Sequence, residues 1–202
     1  MRDTVVEEAV ARYAAGAFPM DDENAPELPW FVAPQRAIFE LDRTSRAALN
    51  RKVARDLRAC ETFAVRVDTA YDRVLDICAQ PPEGEGRWIT ERLATLYRRL
   101  HRARVAHSFE LWTPDGELAA GILSVGIGRA AMLESMRRLQ PSAGNALLAR
   151  TLDNLASAGV QLCDIQLPTP HTERLGCVLI SQRDYERRLA RALGRSTRTR
   201  DL

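Results

Sequence analysis

Residues 105–135, VAHSFELWTPDGELAAGILSVGIGRAAMLES, are the segment most informative about the fold. It holds three largely apolar runs, Val105–Trp112, Glu117–Val125 and Arg129–Ser135, and each run predicts a β-strand. Pro-Asp-Gly at 114–116 is typical of a turn, and the residues 126–128, Gly-Ile-Gly, join the second run tightly to the third. The sequence therefore predicts an antiparallel meander of three consecutive strands.

Helices and further strands surround this meander. A helix predicted from Thr90 to about His101 precedes it, and a long helix predicted from Ser142 to about Ser157 follows it. The remaining elements are a buried strand at Gln161–Gln166, a short helix after Thr169, a strand at Cys177–Ile180 and a basic helix capped by Ser181. A meander followed by a crossover helix favours the α+β class, with a mixed α/β sheet, over a doubly wound sheet.

The first 79 residues carry their own set of predicted elements. These are a helix over Val5–Tyr13, an extended Pro-rich loop at 19–35, a strand at Ala37–Leu41, a helix capped by Thr44 to about Leu57, a strand at Thr62–Val67 and a helix capped by Asp68 to about Cys78. The Pro- and Gly-rich segment Gln80–Arg87 follows as a connection. We therefore predict a small N-terminal domain at 1–79 and a larger domain at 80–202.

The composition is that of an ordinary globular protein. The chain has 202 residues, of which 46% are hydrophobic and 28% charged. No run approaches the roughly 18–20 apolar residues that span a bilayer, and the N-terminal sequence MRDTVVEEAVARY has no apolar segment of the secretory type. We expect a cytoplasmic protein with no membrane partner.

The basic residues are almost all arginines. The 29 basic and 27 acidic residues give a net charge of +2, which does not by itself indicate a nucleic-acid partner. Lys52 is the only lysine, and arginines crowd the segments Arg87–Arg104 and Arg183–Arg200. Because the guanidinium group matches phosphate geometry, these segments form either a phosphate-facing surface or ordinary solvated helix faces.

Metal, disulfide, dinucleotide and serine-nucleophile chemistry are not indicated. The four cysteines lie far apart without a C-x-x-C pair, which predicts buried free thiols, and the three histidines lack metal-binding spacing. The glycines at 126 and 128 lie between two strands, whereas a dinucleotide fingerprint leads from a strand into a helix. Ser135 lies outside any G-x-S-x-G elbow. We predict no metal and no cofactor.

Two acidic residues interrupt apolar strands. Glu134 follows the apolar run 130–133, and Asp164 lies within Leu162–Gln166. A buried carboxylate is costly unless it is paired or functional. Because Asp164 and Gln166 are two residues apart on a predicted strand, their side chains would share one face and could hold one substrate group. The alternative is that Asp164 only caps the turn that follows.

The sequence resembles the leucyl/phenylalanyl-tRNA–protein transferase family over about residues 10–190. The resemblance rests on motifs that occur in the order and spacing of that family: Tyr13-x-x-Gly16-x-Phe18-Pro19, Trp30-Phe31, Arg36-Ala37, Trp88-Ile-Thr90, Tyr97-x-x-Leu100-His101, Ala106-His-Ser108-x-Glu110-x-Trp112, Glu134-Ser-Met136, Asp164-x-Gln166 and Pro168-x-x-His171-x-x-x-Leu175-Gly176. Each motif is weak alone, but the ordered set is specific.

This resemblance implies a fold, a reaction and a set of partners. The fold is a GNAT-like acyltransferase domain behind a small N-terminal α/β domain. The reaction moves Leu or Phe from aminoacyl-tRNA to the N-terminal Arg or Lys of a protein, which tags that protein for degradation under the N-end rule, with no cofactor. The partners are the 3′ end and acceptor stem of the tRNA and the N-terminus of the acceptor protein, and we expect a monomer.

The resemblance also implies roles for single residues. Asp164 and Gln166 occupy the family's catalytic pair, and Glu134, at the aminoacyl pocket, is predicted as a third catalytic residue. The terminal adenosine of the tRNA would lie against Trp88, with Trp30 and Met20 nearby. The side chain of the donor amino acid would lie in a pocket whose members are Ile122, Ala131, Leu133, Leu148, Thr151 and Leu155. All of these except Thr151 are apolar, so we expect an uncharged donor side chain.

Some positions depart from the family pattern, and two alternatives stay open. Met20 stands where the family has Trp, Leu133 where it has Gly, Arg137-Arg138 where it has Phe-Ser, and Gly144-Asn145 where it has Ser-Lys. One alternative is a diverged member that binds tRNA or peptide N-termini without efficient transfer, which the altered 131–145 region favours. Another is a GNAT-like acetyltransferase, although the chain lacks its Gly-rich pyrophosphate loop. The retained Asp164 and Gln166 favour the aminoacyltransferase.

Overall fold

A computed structural model describes residues 3–80 and 87–194, so the predicted connection at 81–86 and the end of the second arginine segment lie outside it. The helices are α1 (Thr4–Ala14), α2 (Arg43–Lys52), α3 (Ala54–Ala59), α4 (Tyr71–Ala79), α5 (Glu91–Arg102), α6 (Ala143–Ser157), α7 (Pro170–Leu175) and α8 (Gln182–Ala192). The strands are β1 (Phe18–Pro19), β2 (Trp30–Phe31), β3 (Gln35–Phe39), β4 (Ala64–Val67), β5 (Ala106–Trp112), β6 (Leu118–Ile127), β7 (Ala130–Arg138), β8 (Leu162–Asp164) and β9 (Val178–Ser181).

Seven strands form one mixed sheet in the order β4-β5-β6-β7-β8-β3-β9. Strands β4, β5, β6 and β7 are each antiparallel to the next, β8 runs parallel to β7, and β3 is antiparallel to both β8 and β9. The α+β class with a mixed sheet is therefore confirmed. Because β3 and β4 precede residue 80, the sheet draws on both halves of the chain. The division into domains at 1–79 and 80–202 stays a prediction.

The predicted meander is confirmed as β5–β6–β7. Its tight second connection is a hairpin in which Gly128 has φ +59°, a conformation that favours glycine. A Cβ atom at Gly128 would lie 2.8 Å from the carbonyl oxygen of Ala192, at the end of α8. Glycine at this position therefore allows both the tight turn and the close contact with the end of α8.

Most predicted helix starts are confirmed because they depend on local hydrogen bonds. The Thr90 side chain accepts the Leu93 N–H at the start of α5, Thr169 forms a capping box with Thr172 at α7, and the Ser181 hydroxyl accepts the Asp184 N–H at α8. At α6 the expected Ser142 is the N-cap residue, but its φ is 65° and its side chain makes no capping hydrogen bond.

Three predictions in the N-terminal half are wrong in detail. Asp42, not Thr44, caps α2, because its carboxylate accepts the N–H groups of Thr44 and Ser45. The predicted helix to Leu57 breaks at Val53 into α2 and α3. The predicted loop at 19–35 contains strand β2, which pairs with β1.

Asp68 does not cap α4, which also corrects the sequence-based expectation. Asp68 has φ 56°, and its carboxylate accepts the Ser108 N–H and contacts the His107 ring. The buried Glu110 of β5 instead accepts the N–H groups of Thr69 and Ala70 at the start of α4. A residue 40 positions away in the chain thus holds the segment that leads into α4, and α4 itself has no side-chain cap.

Helices cover both faces of the sheet. One apolar cluster packs α1, α4, α5 and α8 against it, and a second cluster packs α2, α3, α6 and α7 against the opposite face. The four cysteines are free thiols, as predicted, with Cys177 only half-buried. Burial raises the pKa of the Cys78 thiol to about 11. Over the described residues, no helix is long and apolar enough to cross a membrane.

Candidate active site

Two cavities meet at the edge of β7 beside the end of β8. The aromatic cavity, about 250 Å³, contains Phe18, Met20 and Trp88 in its lining. The apolar cavity, about 300 Å³, contains Phe39, Ile122, Leu133 and Leu148. Both cavities share the lining residues Glu134, Ile165, Gln166, Leu167 and Thr169. The shared residues form the junction of the two cavities.

Gln166 lies at this junction because the strand ends before it. The predicted strand to Gln166 is wrong: β8 ends at Asp164, and Gln166 has φ 58°. Its N–H donates to Asp164 Oδ1 at 2.8 Å, and its side-chain amide, oriented to satisfy its surroundings, donates to the Leu133 carbonyl at 3.1 Å. A non-glycine residue in this conformation stores about 1–3 kcal/mol of strain and marks functional sites.

Asp164 and Gln166 do not share one face, which corrects the expectation from strand geometry. The Gln166 side chain lines both cavities, whereas Asp164 lines neither and is fully buried. The Asp164 carboxylate does accept the N–H of the following turn, as the capping alternative expected. It also has a second set of partners in the protein core.

Those partners are Arg36 of β3 and Tyr185 of α8. Arg36 forms a fully buried ion pair with Asp164, and its Nη1 donates to the Gly16 carbonyl at 2.7 Å. The Tyr185 hydroxyl donates to Asp164 Oδ2 at 2.8 Å, and burial raises its pKa, so it stays a neutral donor. The guanidinium group lies over the Phe18 ring at 4.7 Å and the Tyr185 ring at 4.2 Å.

Arg36 was not among the predicted site residues, although its position in the sequence carries a signal. Arg36 lies directly before the apolar run 37–39 of a strand, and a cation in such a position requires a buried partner. The chain offers Asp164 as an acid in a second apolar strand. What the sequence does not show is that β3 and β8 are neighbours, with Ile38 opposite Asp164.

Glu134 lies at the junction with an unsatisfied oxygen. Its Oε2 accepts a hydrogen bond from the Tyr97 hydroxyl at 3.1 Å, while Oε1 is buried and has no partner among residues 3–80 and 87–194. Burial, followed by the charge of Asp164, raises the pKa of Glu134 to about 8. The buried Tyr13 hydroxyl also lacks a hydrogen-bond partner within the described chain. Glu134 can therefore exchange a proton near neutral pH.

A clamp at the start of α5 holds the wall of the aromatic cavity. The Asp21 N–H donates to the Trp88 carbonyl at 3.2 Å, which fixes Met20 beside Trp88. The buried Asp21 carboxylate accepts hydrogen bonds from the Thr90 hydroxyl and the Arg92 guanidinium. This clamp connects the end of strand β1 to α5.

The structure brings together only part of the predicted adenosine site. Trp88 and Met20 both line the aromatic cavity, but Trp30 does not. Trp30 packs edge-to-face against the Tyr13 ring, with ring centroids 5.2 Å apart, and Arg12 lies over it. Trp30 therefore packs against the protein core and does not form part of the cavity wall.

The predicted aminoacyl pocket is likewise divided. Ile122, Leu133 and Leu148 line the apolar cavity, whereas Ala131, Thr151 and Leu155 are buried outside its lining. Phe39, which the sequence analysis did not name, lines the cavity from β3.

Several arginines of the first basic segment have acidic partners. Arg92 pairs with Asp21, and Arg98 and Arg99 form ion pairs with acidic residues of α4, α5 and the N-terminus. Arg102 and Arg104 form none of the ion pairs found within the described chain. Both interpretations of these segments, phosphate-facing and solvated, stay open.

No group of three or more His, Cys, Asp and Glu side chains that could hold a metal ion is found in the described part of the chain.

Comparisons with known proteins identify the family. Residues 41–190 match the family described as Leucyl/phenylalanyl-tRNA protein transferase. A protein named Leucyl/phenylalanyl-tRNA–protein transferase from Synechococcus sp. (strain JA-3-3Ab) is 36% identical over 90% of this chain and 91% of its own length. Proteins of the same name from Deinococcus radiodurans and Anaeromyxobacter dehalogenans (strain 2CP-C) are 34% and 38% identical, over 95% and 96% of this chain and 90% and 82% of their own lengths.

A solved structure of L-PGS from Bacillus licheniformis is also similar, with a TM-score of 0.49 and 14% identity over 81% of this chain and 66% of that chain.

The family match covers most of the chain, and the three relatives cover at least nine-tenths of it. The resemblance seen in the ordered motifs is thus confirmed, and the chain belongs to the leucyl/phenylalanyl-tRNA–protein transferase family.

Proposed function

We propose that this protein transfers Leu, Phe or a similar apolar aminoacyl group from aminoacyl-tRNA to the N-terminal Arg or Lys of a protein. The observation that carries the proposal is the junction at Glu134 and Gln166, where an aromatic cavity and an apolar cavity meet. The 3′ end of an aminoacyl-tRNA carries an aromatic base on one side of its ribose ester and an amino-acid side chain on the other. One substrate would therefore occupy both cavities. Its ester group would then lie at the junction.

The donor end of the tRNA is bound by shape and stacking. The terminal adenine lies against Trp88, and base–aromatic stacking contributes about 1–3 kcal/mol without reading the sequence. The amino-acid side chain lies among Phe39, Ile122 and Leu148, where a charged side chain would lose its hydration without compensation. Hydrophobic pockets discriminate by about 1–3 kcal/mol per methylene, so Leu, Met and Phe are all acceptable donors.

The reaction is aminolysis of an ester that is already activated. The neutral α-amine of the acceptor attacks the ester carbonyl, a C–N bond forms, and the C–O bond to the ribose breaks. The amine loses a proton, and the ribose oxygen leaves with one. The protein has mainly to orient the amine and stabilise the oxyanion, as in other acyl transfers.

Glu134 is the group suited to move that proton. Glu134 lines both cavities, and its pKa of about 8 is close to that of an ordinary α-amino group. Proton exchange between two groups of similar pKa costs little free energy. Glu134 takes the proton from the amine and returns it to the leaving ribose oxygen.

Asp164 acts as a positioning residue in this proposal. Arg36, Tyr185 and the Gln166 N–H all engage its carboxylate, and it lines neither cavity. Its function is to hold the left-handed turn that presents the Gln166 side chain to the junction. Gln166 then contacts the substrate directly.

A transfer assay tests the proposal. Labelled Leu-, Met-, Phe- and Asp-charged tRNAs are incubated with peptides that start with Arg, Lys or Ala. We expect transfer of the apolar amino acids to the Arg and Lys peptides only. Binding of charged tRNA with no transfer to any peptide would favour a diverged binding protein, and transfer from acetyl-CoA would favour an acetyltransferase.

A further inference from the structure

The apolar cavity borders a third and larger cavity. This larger cavity, about 770 Å³, lies between the end of β7 and the start of α6, and we call it the polar groove. Asp56, Arg138 and Asn145 line it, so it offers charged and amide groups in place of apolar side chains. Two residues, Met136 and His171, line both the apolar cavity and the polar groove. We call these two residues the end wall.

Met136 closes the gap between the sheet and α6. It lies directly opposite Ile122 in the β6–β7 pair, so the two side chains share the face of the sheet that α6 covers. The Met136 side chain reaches the first turn of α6, where a Cβ atom at Gly144 would lie 3.8 Å from its Cε. Because glycine carries no side chain there, the thioether can lie across the gap.

The boundary between the two cavities is narrow. Gly144 lines the polar groove, and Leu148, four residues later on α6, lines the apolar cavity. Residues four apart lie on the same side of a helix, about 6 Å apart along its axis. His171 adds a second side chain to this boundary from α7. The end wall is therefore one helical turn thick.

The end wall borders the donor side chain and not the adenosine, because neither of its residues lines the aromatic cavity. Both residues are half-buried, and a methionine side chain adapts through its several rotatable bonds. An apolar group that passed the end wall would leave the apolar cavity and lie beside Asp56 and Arg138, whose charges require hydration or partners.

We infer that Met136 and His171 are specificity-determining residues that limit the size of the donor side chain. This inference rests on the proposed function, because it takes the apolar cavity as the place of that side chain. A donor side chain that ends before the wall, such as that of Leu, keeps its apolar contacts. A larger one, such as the indole of Trp, has to displace Met136 or His171, and overpacking of this kind is unfavourable.

Donor selection is measured as the ratio of kcat/KM for Trp-tRNA to kcat/KM for Leu-tRNA, with one peptide that starts with Arg. Met136→Ala removes the side chain that spans the gap, so this ratio should rise about tenfold to 100-fold. His171→Ala should raise it in the same direction. Met136→Leu keeps an apolar side chain of similar volume, so its ratio should stay close to that of the wild type.

Leu139→Ala is the matched control, because Leu139 lines the polar groove but not the apolar cavity. This variant enlarges the groove without opening the end wall, so the ratio should not change. A ratio that rises as much in Leu139→Ala as in Met136→Ala would overturn the inference. An unchanged ratio in both Met136→Ala and His171→Ala would overturn it as well.

Binding of stable donor analogues separates this inference from the transfer reaction. In these analogues an amide replaces the ester between adenosine and Leu or Trp, and calorimetry gives the Kd of each. Met136→Ala should favour the Trp analogue by the same factor. If it does so while no peptide is modified, the end wall stands and the proposed function fails. Unchanged relative Kd values in a protein that transfers Leu overturn the end wall alone.

Discussion

Arg36 and Asp164 form a fully buried ion pair beneath the junction of the two cavities, although 128 positions separate them in the sequence. The pair joins neighbouring strands β3 and β8, and it holds the turn at Gln166 through the Asp164 carboxylate. The Asp164 carboxylate is thus fully engaged inside the protein. In the proposed reaction it acts on transfer through Gln166.

Removal of Asp164 is expected to lower both stability and transfer. Asp164→Ala leaves the Arg36 guanidinium buried without its partner, which costs about 3–5 kcal/mol. Transfer should fall by at least about 100-fold, because the Gln166 turn loses its anchor. Thermal unfolding and a transfer assay on the same preparation measure the two effects.

A double variant separates these effects. Arg36→Met/Asp164→Leu replaces the buried charges with apolar groups, so its melting temperature should lie well above that of Asp164→Ala. Transfer should nevertheless stay low, since no carboxylate accepts the Gln166 N–H. Recovery of transfer together with stability would remove Asp164 from any role beyond folding.

Glu134 is expected to make the stability of the protein fall as the pH rises. Its pKa of about 8 in the folded state exceeds the ordinary glutamate value, so the folded protein binds more protons than the unfolded chain between those two values. The free energy of unfolding should therefore decrease through that range, with a slope approaching about 1.4 kcal/mol per pH unit. Urea unfolding of the wild type and Glu134→Gln between pH 5 and about 9 measures the difference.

In Glu134→Gln this slope should disappear, and transfer should fall by about 100-fold if the carboxyl group moves the proton. The glutamine keeps the size of the side chain and its hydrogen bond to Tyr97. Parallel stability curves for the two proteins would show that Glu134 is ionised throughout. Full activity of the variant would exclude it as the proton-transfer group.

Trp88 and Trp30 should differ in their effects on donor binding. Trp88→Ala removes the aromatic wall of its cavity, so the KM for aminoacyl-tRNA should rise about tenfold to 100-fold, as expected for one stacked base. Trp30→Ala removes packing against Tyr13 and should lower the melting temperature without a comparable rise in KM. A KM that rises equally in both variants would show that the adenosine lies elsewhere.

Leu133 should set the preference among apolar donors. Leu133→Gly enlarges the apolar cavity and should change the ranking of Leu-, Met- and Phe-tRNA as donors. Leu155→Ala is the matched control, because Leu155 is buried in the same core but lies outside the cavity lining. It should lower stability by about 2–5 kcal/mol and leave the ranking unchanged. A wild type that prefers Asp-tRNA would contradict the placement of the donor side chain.

Binding to tRNA is expected to weaken as the salt concentration rises. Phosphate contacts release counterions, so the logarithm of affinity falls linearly with the logarithm of salt concentration. Arg102 and Arg104 are candidates for such contacts because they take part in none of the ion pairs described above. A flat response between low and physiological salt would show that the arginine segments are ordinary solvated surface.

Local features of the fold could be predicted from the sequence because their causes lie within a few residues. Alternating and continuous apolar runs predict the meander, and the glycine turn predicts its hairpin. Thr90, Thr169 and Ser181 cap helices by accepting the N–H group three positions further on. The ordered motifs likewise identified the family.

Predictions failed where a distant partner competes with a local one. Asp68 is a good cap by its own chemistry, but the strand residue Glu110 binds the N–H groups of Thr69 and Ala70 just before α4, and the Asp68 carboxylate binds the Ser108 N–H instead. Trp30 is an aromatic residue of the N-terminal motif, yet packing against Tyr13 withdraws it from the cavity.

The class of the fold, the meander, most helix starts and the family could therefore be predicted from the amino-acid sequence, since these depend on local periodicity and on motifs read in order. The three-dimensional packing was needed to show that Arg36 reaches Asp164, that Gln166 turns into the junction, and that Leu133 but not Leu155 lines the apolar cavity. These contacts depend on which strands become neighbours and on how the two sides of the core pack. Which strands become neighbours depends on the burial of apolar surface over the whole chain, and no single segment of the sequence specifies it.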